Sequence, residues 1–320
     1  MSEDVSSALR PSETFVLPGL IPTSATADVA DATSRGEARA TLRARDTLWS
    51  RYTRHKGGVV GLIVLLFLIV VACLAPVLAP ADPFSLGDMA LSEPSSLHLM
   101  GTDHLGRDML SAVLWGLRVS LLVGVCAALI AVALGICIGG PAGYFGAQLD
   151  NLLMRATDAF MVLPTFFLVL IVVAIFGGSL WKLIALIGIT NWPPVARLVR
   201  AEFLSLRERD FALAAKAVGA GHAMIMWRHI LPNALPVIIP TLSLRTAGAI
   251  ITEASLSFLG VGDPNVISLG QMLINALQFM RMAWWTAMFP GLTIFVIVLA
   301  LNLVGDGLND ALNPRLKARS

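Results

Sequence analysis

The sequence predicts an all-α, polytopic membrane protein with six transmembrane helices. Three observations carry this. Of 320 residues, 56% are hydrophobic and only 14% are charged, against about 25% charged in soluble domains. Mean hydropathy is +0.77. Apolar runs of the length a bilayer requires, about 20 residues, recur along the chain, and the basic residues cluster in alternate segments between them.

Residues 1–50 are rich in Ala, Ser, Thr and Arg without sustained periodicity. They read as a disordered tail. The region 51–80 holds the first span, Gly57 to Leu78, too deep in the chain for a cleaved leader. A polar, Pro-containing loop follows over 81–115, and a core of five further spans occupies 116–310. Those spans are Val119 to Ile138, Ala159 to Phe176, Leu180 to Leu198, Leu235 to Phe258 and Ala287 to Val304. The fourth carries Lys182 and Pro193-Pro194, and the fifth carries Arg245 and Glu253. A short tail closes the chain at 311–320.

Basic residues favour the cytoplasmic side of a bilayer. Arg43, Arg45, Arg51, Arg54 and Lys56 precede the first span. Arg200, Arg207, Arg209, Lys216 and Arg228 separate the fourth from the fifth, and Arg315, Lys317 and Arg319 follow the sixth. The opposite loops hold only Arg107, Lys182 and Arg281. Both termini and the loop 200–232 are therefore expected in the cytoplasm. Trp284-Trp285 suits the membrane interface.

Several function classes are disfavoured. The net charge of +2 is asymmetrically placed rather than globally basic and carries no nucleic-acid signal. Cys73, Cys126 and Cys137 lie in apolar runs without metal-ligand spacing and read as small hydrophobes. His55, His98, His104, His222 and His229 fall in tails or loops, no His-Glu-x-x-His occurs, and no phosphate-binding Gly-x-x-x-x-Gly-Lys-Ser/Thr loop is present. An intramembrane enzyme lacks its nucleophile or metal set, and a passive channel leaves the loop 200–232 without a purpose.

That loop is the most informative segment. Asp210 is a plausible N-cap for a short Ala-rich helix, and Phe211, Ala215, Val218 and His222 fall at spacings of one helix face. Gly219 and Gly221 are expected to end the helix in the left-handed region. Ile230-Leu231-Pro232 then opens the next span, where a missing N–H is tolerated. A helix lying on the membrane would need a larger apolar face; a thin helix seated in a partner's groove fits better.

The segment Leu213-Ala214-Ala215, Gly219 and His229-Ile230-Leu231-Pro232 resembles the cytoplasmic Glu-Ala-Ala loop of ABC importer permeases, with Leu213 in place of Glu and His229 in place of Ile. Further stretches are similar to the second permease subunit of the dipeptide, oligopeptide and nickel branch. They are Gly101-Thr-Asp-His-Leu-Gly-Arg-Asp108, Ala142-Gly-Tyr-Phe-Gly146, Glu253-Ala-Ser-Leu-Ser-Phe-Leu-Gly260 and Leu303-Val-Gly-Asp-Gly-Leu-Asn-Asp310. Ile267-Ser-Leu-Gly270 departs from that branch's Pro-Ser-Trp-Gly. The resemblance implies the type I ABC importer fold with a cytoplasmic coupling helix. It also implies a heterodimeric pore with a homologous permease, two ATPase subunits or one fused ATPase holding ATP and Mg, and an extracytoplasmic binding protein. On this reading the chain itself is a non-catalytic pore subunit without a cofactor. The ATPase-coupling surface would comprise Asp210, Phe211, Ala214, Ala215, Val218, Gly219, Ala220, Gly221, Leu231 and Pro232. Glu253 and Ser257 would either line the pore or tie the bundle together. The cargo is di- or oligopeptides, or nickel chelates, haem or another peptide-like solute.

Overall fold

A computed structural model describes residues 48–312, Asp88 excepted. Residues 48–50 of the expected disordered tail, and 311–312 of the closing one, are helical instead; the rest of both tails, with Arg43, Arg45, Arg315, Lys317 and Arg319, lies outside the described residues. The described residues form helices and no strand; a single bridge joins Thr102 to Asp108.

Helix α1 (Leu48–Arg54) leads into α2 (Lys56–Cys73), whose first turn is capped by His55 Nδ1 accepting from Gly58 N at 2.8 Å. The expected first span breaks at Leu74, and α3 (Ala75–Leu78) starts with Pro76 in its first turn. Proline lacks the N–H that would continue the preceding ladder. After the loop, Asp108 caps α4 (Met109–Phe145) by accepting from Ser111 N at 2.8 Å. Helix α4 overruns the expected second span at both ends and continues through Pro141.

The third and fourth expected spans are each divided. Helices α5 (Ala147–Val162) and α6 (Thr165–Phe176) meet at Leu163-Pro164 with a bend of 71°. Helices α7 (Leu180–Thr190) and α8 (Trp192–Leu206) meet at Asn191, where Pro193-Pro194 opens the second of the pair. Apolar run length located these segments, but the prolines set where each helix begins.

A short helix α9 (Asp210–Ala217), one further turn α10 (His222–Met224) and a π-helical stretch Ile225–Ile230 lead into α11 (Leu231–Phe258). Pro236 and Pro240 lie inside α11. Helix α12 (Leu269–Ala276) and the terminal α13 (Trp285–Leu312) complete the chain. Among the described residues four helical stretches are long and apolar enough to cross a membrane, α2, α4, His222–Phe258 and α13, with a fifth if α5 and α6 count as one bent span.

Helix α4 is the axis. It contributes to all three apolar clusters of the bundle. One cluster joins it to α2, α11, α12 and α13 through Leu117, Leu121, Ile250, Leu269 and Ile297. A second joins it to α6 and α7 through Val123, Val173 and Ile187. The third gathers Val195, Val199 and Phe203 of α8 with Ile225, Ile230 and Ile238. This last cluster supports the candidate site.

Candidate functional site: a small helix held at one end of the bundle

The α4–α8 seam comes first because it fixes where α9 sits. Gly135, Gly139 and Gly143 stand one turn apart on α4. A Cβ on Gly139 would lie 2.2 Å from Ala196 O, and one on Gly143 would lie 2.5 Å from Arg200 O. The two backbones are thus in direct contact, as small residues spaced by four permit between membrane helices. Two ion pairs brace α8 against α5. Arg200 holds Asp150 by two hydrogen bonds, at 2.5 and 2.6 Å, and Arg197 meets Asp158 at 2.5 Å. Asp150 is buried, whereas Asp158 is exposed, so the first pair is the stronger tie.

Arg207, just beyond α8, closes the end of α4. Its Nη1 donates to Gly143 O at 3.1 Å and to Tyr144 O at 3.2 Å. These are carbonyls a helix C-terminus leaves without partners. Its Nε donates to Glu208 Oε1 at 3.0 Å.

Helix α9 follows, with Arg209 rather than Asp210 in the N-cap position and no side-chain cap bond. Asp210 is the first helical residue, where a carboxylate is favoured by the helix dipole. Ala212 is buried and Ala215 partly buried against the third cluster, so a methyl-sized face lets α9 sit close. The expected face of Phe211, Ala215, Val218 and His222 does not exist as one surface. The helix ends at Ala217, Val218 is 84% exposed, and His222 belongs to the next helix. Gly219 has φ +81 and makes the left-handed turn, while Gly221 is extended and precedes α10. Ala220 and Leu231 rest partly buried on the same cluster, and Pro232 stands in the first turn of α11.

A cavity of about 360 Å³ opens beside α9, lined by Tyr144, Phe145, Arg207, Leu213, Lys216 and His222 among others. Tyr144 Oη and His222 Nδ1 are 2.9 Å apart across it. Sequence reasoning missed this wall, the Arg207 clasp and the glycine seam. The spacing Gly135, Gly139, Gly143 was the one available signal.

The structure brings Asp210, Phe211, Ala214, Ala215, Val218 and Gly219 together with Ala220 and Gly221 at one end of the bundle. Glu253 and Ser257 lie elsewhere. Both are 1% exposed, so neither faces an open path. Ser257 Oγ donates to Glu253 Oε1 at 2.7 Å and Ser120 Oγ to Oε2 at 3.3 Å, with Ser268 also at the carboxyl. The carboxyl is a tie between α4 and α11, not a lining group. Trp285 is likewise no interface anchor. It is buried, and its Nε1 donates to Thr102 O at 3.1 Å, pinning the 81–108 loop; Trp284 alone is exposed. In that loop Asp103 Oδ1 accepts from Leu105 N and Arg107 N, both at 2.8 Å, and makes a turn.

An all-helical membrane bundle holding a small helix at one end fits a transporter's membrane subunit. The chain belongs to the family of binding-protein-dependent transport system inner membrane components, whose model matches residues 131–318. Residues 44–94 match the N-terminal TM domain of oligopeptide transport permease C. Over 277 residues it is 37% identical to the dipeptide transport system permease protein DppC of Haemophilus influenzae, covering 84% of this chain and 94% of that one. It is 39% identical to the di/tripeptide transport system permease protein DppC of Pseudomonas aeruginosa, covering 84% and 91%. Among solved structures, the MetNI methionine ABC transporter shares the fold, with a TM-score of 0.52 at 19% identity over 64% of this chain and 98% of that one. The protein is a multi-pass inner-membrane ABC importer permease subunit.

Proposed function

We propose that the chain forms half of a peptide translocation pore and that α9 receives the motion that drives it. The observation carrying this is the exposed tip of α9. Val218 is 84% exposed beside a left-handed Gly219 with nothing within 4 Å, at the end of a helix seated on alanines. Such a tip fits a groove on a soluble partner. That partner is an ATPase, present as two subunits or one fused chain, which binds ATP and Mg and performs the hydrolysis. A homologous permease completes the pore, an extracytoplasmic binding protein delivers the cargo, and lipid surrounds the whole. On this reading both termini are cytoplasmic, and the six expected spans are the four helical stretches long enough to cross, the bent α5–α6 pair and the α7–α8 pair.

Arg207 ties the region before α9 to the end of α4, and the π-helical stretch runs without a break into α11. A displacement of α9 therefore reaches both helices. The names of the relatives, dipeptide and di/tripeptide permeases, support peptides as the cargo. The complex co-expressed with its partners and reconstituted in proteoliposomes should take up labelled di- and oligopeptides only with ATP. ATP-driven uptake of haem or a nickel chelate but not peptides would replace the cargo, and uptake without ATP would mean a passive pore.

Leu213 lies where the resembling loop has Glu, and it is 48% exposed on the cavity wall. A new carboxylate three residues before Lys216 adds only about 0.2–0.5 kcal/mol of helix pairing. Leu213→Glu should therefore change uptake by less than about twofold. A larger gain or loss would mean that the contact depends on charge at this position and not on shape.

A further inference from the structure

Arg245 lies near the middle of α11 and has neither hydrogen bond nor ion pair among the described residues. Its Nε is buried without an acceptor. A cation at mid-span is unfavourable against lipid and normally faces protein or water with a counter-charge. The described residues place none within ion-pair distance. Glu253 is the acidic residue on the same helix, eight positions on, about 12 Å along the axis, and its carboxyl is already held by Ser120 and Ser257.

The surface around Arg245 is mixed, a polar strip flanked by Leu244 and Ile251, which are 43% and 48% exposed. Thr241, Arg245, Gly248, Thr252 and Ser255 fall within one helix face. Thr252 and Ser255 are half-buried, their hydroxyls donating to Gly248 O and Ile251 O at 2.8 Å, and a Cβ on Gly248 would meet no atom within 4 Å. A hydroxyl stripe with an unpaired guanidinium and free space beside it is the lining of a wet path.

We propose that Arg245 reads the free C-terminal carboxylate of a peptide passing along this face. The inference rests on the peptide reading above. Peptides of varied sequence share a terminal ammonium, a terminal carboxylate and the backbone, and of these the carboxylate is the group a guanidinium selects. Guanidinium pairs with it in two parallel hydrogen bonds, while the hydroxyl oxygens of Thr252 and Ser255, whose hydrogens go to Gly248 O and Ile251 O, are left to accept from peptide N–H groups.

The test uses the assembled, detergent-solubilised transporter carrying Thr252→Cys, with reaction at residue 252 by a water-soluble thiol reagent read by mass spectrometry. A dipeptide with a free carboxylate should slow the reaction about tenfold, the worth of one charge-assisted contact. Its C-terminal amide should not. Arg245→Gln should abolish the protection and Arg245→Lys should keep part of it. No reaction at 252, equal protection by acid and amide, or protection surviving Arg245→Gln would each overturn the proposal. So would failure of the Arg245→Gln chain to co-purify with the partner permease, which would assign the guanidinium to an ion pair between subunits. Uptake of the same dipeptide by the unmodified complex is measured alongside. Its absence would refute the peptide cargo itself, whereas uptake without protection refutes Arg245 alone.

Discussion

Gly219→Val should reduce ATP-driven uptake by about tenfold while leaving the protein inserted and as abundant as before. Gly219 has φ +81, a region that a β-branched residue occupies only under strain, at about 1–2 kcal/mol. A Cβ here would meet nothing within 4 Å beyond the adjoining residues, so the effect is confined to the backbone. The strain is relieved by turning residue 219 out of the left-handed region, which swings α9 relative to the Ala220-Gly221 joint behind it. The partner then meets the docking geometry in a minor population, and 1.4 kcal/mol is a factor of ten in that population. Gly219→Asn separates this cause from simple loss of glycine. Asn visits the left-handed region readily and should retain most of the uptake. Full uptake by Gly219→Val, measured with membrane abundance as control, would remove α9 from the coupling path.

The α9 region shows what was legible in the sequence and what was not. The helix, its alanine face and its glycine stop follow from local propensity, and the stretch Asp210–Ala217 matches the expected segment. Its neighbours do not follow from local propensity. Arg207 reads as one more basic residue of a cytoplasmic loop, yet it caps a helix that ended more than 60 positions earlier. Glu253 illustrates the same limit. A lone acid in a span is correctly marked as needing a partner, but whether that partner is water or a serine depends on which helix lies opposite. Here it is α4, through Ser120, 133 positions away. The spans behave differently again. Apolar length found them, while their ends at Leu74, Leu163 and Asn191 follow prolines that a hydropathy window averages away. Lipid demands an apolar segment with its backbone hydrogen bonds closed internally; the prolines decide where it breaks.

Gly139→Val should abolish accumulation of folded protein. The position is buried between two backbones, and a Cβ there would stand 2.2 Å from Ala196 O, 2.9 Å from its carbonyl carbon and 3.0 Å from its Cα. No rotamer change relieves a clash with main chain. Helices α4 and α8 must separate, and the contacts of Gly135 with Val195 and of Gly143 with Arg200 and Phe203 separate with them. Overpacking a core costs about 1–3 kcal/mol when side chains can yield; with backbone on the opposing side the effect belongs at or above the upper end. Domains are stable by only about 5–15 kcal/mol, and α8 also carries Arg200, the tie to Asp150, so loss of this seam removes the support of α9 as well. Membrane abundance and the thermal midpoint in detergent measure the effect. Gly291→Ala is the matched control: in α13 its Cβ would find only Leu273 Cδ2, at an ordinary 3.9 Å, and abundance should be unchanged. Normal abundance and midpoint for Gly139→Val would mean that the α4–α8 backbones do not touch, and the placement of α9 would have to be rebuilt from the Arg207 clasp alone.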